Sequence, residues 1–154
     1  MRKRNIPHDA IVFVADGRKA LFLRNDGDEK FANFVTEDVV LDDNPATREQ
    51  GTDKPGRGFA SAGSARRSAM EPTDWHDIEE HRFAERVSEA LERLMRARKA
   101  PALVVAAPPR TLADLRAALH PTVKARIVLE INRDLVNQPV GEIERRVVAS
   151  LTEA

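Results

Sequence analysis

Within DWHDIEEHRF, residues 74–83, lie His76, Asp77, Glu80 and His81, side chains of the kinds that bind metals or move protons. His76 and Glu80 are four apart, as are Asp77 and His81, so on a helix each pair shares a face. The two histidines are five apart and diverge, unlike those of H-E-x-x-H, which line one face around a metal. A salt-bridged helix start is the plainer reading, and metal coordination the sharper one. Asp16 poses a similar choice. Before Gly17 it suits a turn, whereas beside Glu80, Glu130 or Asp134 it could help to hold two metal ions. The stretch APPR, ending in Arg110, supplies no further acid.

A second constellation is basic. Arg48, Lys54, Arg57, Arg66 and Arg67 lie in a stretch without hydrophobic period, residues 44–76, among glycines that let backbone approach a ligand. Glu49, Asp53, Glu71 and Asp74 offset part of that charge. The stretch reads as solvated surface, as a loop that contacts a macromolecule, or as a catalytic loop. Gln50 precedes Gly51 within it. Trp75 either anchors its return or offers a ring for stacking. Arg110, between a strand end and a helix start, could hold an anion or form a surface ion pair. The motif GTDKPGRG lacks the Gly-Lys-Ser/Thr ending of a phosphate-binding loop. Ser61, Ser64 and Ser68 form no nucleophile motif with the histidines.

Composition narrows the chemistry further. A chain of 154 residues with 42% hydrophobic and 32% charged side chains can bury a core without covalent staples. It has no cysteine, which removes a disulfide framework, a thiolate nucleophile and a cysteine zinc site. The formal net charge of zero predicts no general affinity for nucleic acid, so any such binding must be local. The opening MRKRNIPHDAIVFVADG has an apolar run too short for a signal or a membrane span. The expectation is a soluble, cytoplasmic domain without cofactor, bound metal or membrane insertion. Its oligomeric state has no unique signature, since a helix face or sheet edge could pair chains.

The elements that must position these residues follow from periodicity. AIVFVAD, residues 10–16, is apolar at every position up to its closing aspartate, as in a strand covered on both faces. ALFLRND, residues 20–26, is a second strand, and FANFVTEDVVLDD a third with mixed alternation or a bulge. Phe83, Val87, Ala90, Leu91 and Leu94 then mark a long helix, with Asp74 as N-cap and Asp77 at N3. ALVVAAPP is a buried strand ended by prolines, and Thr111 with Asp114 opens a short helix. VKARIVLEINRDL mixes two patterns, a helical one in Val123, Ile127 and Ile131 and a strand one in Ile127, Leu129 and Ile131. A last strand over residues 126–132 is favoured because it completes a βαβ unit, before a helix with a Val140, Ile143, Val147 and Leu151 stripe. The order βββαβαβα predicts one α/β domain over residues 1–154. Its mixed sheet has an antiparallel meander and parallel strands joined by right-handed crossovers, an order found in ribonuclease H-like architectures.

Across these segments, from VFVADGRKALFLRN through GTDKPGRG to RIVLEINRDLVNQPVGEIERRV, the chain resembles the bacterial host-attachment protein family, from about Asp9 to Val147. That family is similar to the middle domain of archaeal and eukaryotic peptide-chain release factors. The resemblance implies a ribonuclease H-like topology with a long loop between the third strand and the first helix. In the release-factor domain that loop carries Gly-Gly-Gln, which promotes peptidyl-tRNA hydrolysis. Here it carries REQGTDKPGRG, so Gln50 does not simply inherit the role. The implied function is a noncatalytic binding or adaptor protein with ribosome, tRNA, other RNA or a protein as partner, acting in host attachment as the family name proposes. The alternative is a hydrolase of RNA or peptidyl-tRNA.

Overall fold

Every residue of Ile11–Ala15, the first strand (β1), is buried, which places it at the middle of a sheet covered on both faces. The computed structural model describes residues 6–42 and 72–153, with side chains of the second stretch from 77 to 151. β1 pairs antiparallel with β2, Lys19–Asn25, which pairs antiparallel with β3, Phe34–Leu41. On its other side β1 pairs parallel with β4, Leu103–Ala106, and β4 with β5, Ile127–Ile131. The sheet order is therefore β3-β2-β1-β4-β5, and strands from both sides of residues 43–71 share one sheet.

Alternation along β1 feeds two cores. Ile11, Phe13 and Ala15 face Phe83, Val87 and Leu91 of α1, Pro72–Arg98, and Leu112 and Leu115 of α2, Pro109–Ala118. Val12 and Val14 face Ile143 and Val147 of α4, Val140–Glu153. Phe13 and Phe22 are cross-strand neighbours with ring centroids 5.0 Å apart. Such a pair contributes about 1 kcal/mol beyond its burial.

The crossovers β3-α1-β4 and β4-α2-β5 both join parallel strands in the same sense along the sheet. Right-handed connection therefore sends both helices to one face. The chain after β5 takes the opposite face, where α4 reaches back to β3, and Glu144 accepts the backbone N–H of Phe34 at 3.0 Å. The described residues add one element to the expected order, the short α3, Pro121–Lys124, capped by His120, whose ring nitrogen accepts from Thr122 N–H. Proline at its first position supplies a helical φ.

The third strand carries its mixed alternation as a bulge. Phe22 pairs with Asp38 and Leu23 with Thr36, leaving Glu37 as the extra residue. Helix boundaries differ from expectation in two places. Residues 72–76, read with the loop and with Asp74 as cap, already belong to α1. Helix α2 is capped by Pro108 and begins at Pro109, so Thr111 is a buried helical residue and not the cap. In both helices a proline sits at the first position, where its missing N–H would have had no helical partner.

Ser88, on the buried face of α1, is 4% exposed, and its hydroxyl has no hydrogen-bond partner among the described residues. Ser88→Ala is expected to stabilise the protein by about 0.5–1.5 kcal/mol, through helix propensity and relief of an unpaired polar group. Urea unfolding measures this, and a loss of stability would show that the hydroxyl is satisfied.

Candidate functional site

Because only β2 runs against the others, β1, β3, β4 and β5 end at the same edge of the sheet. In open α/β sheets ligands gather outside such carboxyl ends. The loop after β1 carries Asp16, Gly17 and Arg18, the turn after β4 leads to Arg110, and the loop after β5 carries Arg133 and Asp134. Asp42, just after β3, also lies on this edge, and its N–H donates to Arg18 O at 2.7 Å. Near the start of α1, Asp77 forms an ion pair with Arg110 of α2.

Most acids at this edge are already engaged. Asp16 Oδ1 accepts the backbone N–H groups of Arg18 and Lys19, each at 2.8 Å, so its carboxylate closes the β1–β2 turn. Asp42 pairs with Arg86 at 3.1 Å, and His81 Nδ1 lies 2.8 Å from Asp114 Oδ1. Asp77 and His81, expected to pair along their own helix, each reach a partner on α2 instead. The reason is spatial: α2 presents Arg110 and Asp114, also four apart, to that face of α1.

Glu80 and the Asp16 turn do come together. A Cβ built on Gly17 would lie 2.7 Å from Glu80 Cδ and 2.8 Å from its Oε2, so the carboxyl rests against that backbone. Close approach, not a positive φ, is what glycine permits here. Glu130 is held by Arg116 at 2.6 Å. Among the described residues no three His, Asp or Glu side chains are grouped so as to hold a metal, and Asp134 does not join Asp16 and Glu80 in one.

Arg110, the candidate anion holder, is exposed but tied to Asp77. Its helix also starts with Pro108 as cap and Pro109 as first residue, which leaves fewer N–H groups for an anion. Trp75 lies in the first turn of α1. Arg48, Gln50, Lys54, Arg57, Arg66 and Arg67 lie outside the described residues. Missed from the sequence were Arg18 and Arg133, exposed residues on the loops after β1 and β5 with no ion pair to a described residue. Their position just after strand ends was the available signal.

A family model described as bacterial archaeo-eukaryotic release factor family 12 matches residues 9–147. No curated protein matches the chain.

Proposed function

The chain belongs to bacterial archaeo-eukaryotic release factor family 12, and from that premise we propose that it is a noncatalytic binding protein that associates with RNA at the ribosome. The carboxyl edge of the sheet carries the proposal. Both ends of residues 43–71 meet that edge, at Asp42 and at the start of α1, and exposed Arg18 and Arg133 lie on its loops. Arg48, Lys54, Arg57, Arg66 and Arg67 of that stretch would add phosphate contacts, Gln50 a polar one, and Trp75 a ring for a base. Engagement of Asp16, Asp42, Asp77 and Asp114 by turn N–H groups, Arg86, Arg110 and His81 favours binding over acid–base chemistry.

The ribonuclease H-like assignment belongs to the same proposal. Its support is the order β3-β2-β1-β4-β5, an antiparallel meander continued by two strands parallel to β1, with helices on both faces. So does a cytoplasmic location; no helix among the described residues is long and apolar enough to cross a membrane. A part in host attachment enters as an indirect effect of RNA-directed binding.

Replacing Arg57, Arg66 and Arg67 together by glutamine is expected to lower the RNA that copurifies from native cells at least tenfold. For single-stranded RNA, losing three phosphate contacts should also flatten the slope of log affinity against log salt by roughly 2. Undiminished RNA binding by this variant would overturn the loop as the contact surface. The contact between Glu80 and the Asp16 turn favours one second reading, hydrolysis of RNA or peptidyl-tRNA. Peptidyl-tRNA turnover that collapses when Gln50, Asp16 and Glu80 are replaced would put hydrolysis in place of simple binding. Unchanged turnover would dispose of that site.

A further inference from the structure

At the opposite edge of the sheet, a cleft of about 480 Å³ opens between the end of α1 and the α3–β5 connection. Its floor is apolar: Met95, Ala100 and Val123 are all buried. Arg96, Lys99 and Arg126 stand exposed around it. The lining has one carboxylate, Glu92, and Arg96 occupies it at 2.7 Å. Lys99 and Arg126 have no ion pair with a described residue, so the lining carries an excess of about two positive charges.

The backbone adds an independent observation. Lys99 has φ 52°, the left-handed conformation that closes α1. Its N–H donates to Arg96 O at 3.2 Å and that of Ala100 to Met95 O at 3.0 Å, the paired bonds of a Schellman ending. Glycine is the residue this position favours, because a Cβ is strained there. A lysine in its place bears that strain and brings an ammonium group to the cleft.

We propose that this cleft binds a small organic phosphate of nucleotide size, with Lys99 and Arg126 on the phosphate and the floor of Met95, Ala100 and Val123 under its less polar part. The volume lies in the range of small-molecule sites, and an apolar floor with a few placed polar groups is their usual construction. Arginine offers a planar fork to phosphate oxygens and lysine a point charge. The site is separate from the carboxyl edge and does not depend on the RNA-binding proposal.

Calorimetric titration of the full chain with ADP, and separately with inorganic phosphate, provides the test. Saturable ADP binding is expected, stronger than that of inorganic phosphate because the floor contributes. Lys99→Gly should weaken it at least tenfold while the melting temperature stays level or rises, since glycine suits that backbone. Arg126→Gln should weaken it comparably, and the Arg57, Arg66 and Arg67 triple variant should leave it unchanged. Absence of saturable ADP binding at millimolar concentration would overturn the proposal, as would ADP affinity insensitive to Lys99→Gly and Arg126→Gln. If those two variants instead lose affinity for a single-stranded RNA and not for ADP, the cleft is an RNA contact and the small-ligand site is refuted.

Discussion

Asn25→Ala is expected to destabilise the protein by about 3–4 kcal/mol, a large share of the stability of a domain this size. Asn25 closes β2 with no exposed surface. Its Nδ2 donates to Ile6 O at 3.0 Å and to Pro7 O and Asp28 O, both at 3.3 Å. Its Oδ1 accepts the N–H groups of Gly27 and Asn33, each at 2.9 Å. One amide thus joins the approach to β1 with both limbs of the β2–β3 turn.

Alanine would leave those backbone groups without their partner, the Ile6 carbonyl in a buried bond and the others in partly buried ones, at about 1–3 kcal/mol for each group that water cannot reach. The turn cannot collapse to compensate. A Cβ at Gly27 would already sit 2.0 Å from Phe31 O, so the backbone there is closely packed. At roughly 2–4 °C per kcal/mol, the melting temperature should fall by about 6–16 °C. A loss below about 1 kcal/mol in chemical unfolding would show that the amide is not the hub the geometry makes it.

Arg24→Met is the second large effect, about 2–3 kcal/mol at neutral pH. Arg24 Nε donates to Glu37 Oε2 at 2.9 Å, and its Nη1 lies 3.0 Å from Asp26 Oδ1 and 3.3 Å from Asp9 Oδ1. The Arg24 and Glu37 side chains are only 15% and 14% exposed, so solvent screens this pair less than the two aspartates. Glu37 also accepts from Arg98 at 2.7 Å, which ties the end of α1 to β3. Methionine keeps much of the stem's packing and leaves three carboxylates facing one another.

The pH dependence has a definite sign. The Arg24 hydrogen bond, and secondarily that of Arg98, holds the Glu37 carboxyl below its ordinary value of 4.5. A depressed folded pKa contributes stability that is present above the unfolded value and is lost as pH falls through the folded one. The difference between wild type and Arg24→Met should therefore be full at pH 7 and shrink below about pH 4.5 as Glu37 protonates. Adding Glu37→Gln to Arg24→Met should recover part of the loss at neutral pH. A cost independent of pH from 7 to about 3.5 would point to packing, not charge.

Elements whose signal is a local period were legible. β1 is apolar on both alternating sets, and the stripes Phe83, Val87, Leu91 and Val140, Ile143, Val147 repeat at helical spacing, so burial on a face is written into short windows. The strand over Ile127–Ile131 was legible as the partner that a crossover after β4 requires. The Glu37 bulge was visible only as broken alternation, because its exact position depends on pairing with β2. At the carboxyl edge, Asp16 as a turn former followed from the glycine after it. Arg18 and Arg133 did not stand out, since a place just after a strand end was their one signal and it does not separate a lone arginine from other surface residues.

Alone, the sequence determined the order of the elements other than α3, which faces are buried, and membership of the chain in its family, all of which depend on neighbours a few positions apart or on whole-length similarity. Tertiary structure decided the partners. Asp77 and His81 share a helix face whichever way the chain folds, yet the crossover that sets α2 beside α1 gives them Arg110 and Asp114. It also brought Arg126, 27 positions further on, to the cleft that Lys99 edges. Ion pairs and clefts depend on distances of a few ångströms between elements remote in the chain, and no local window contains those distances.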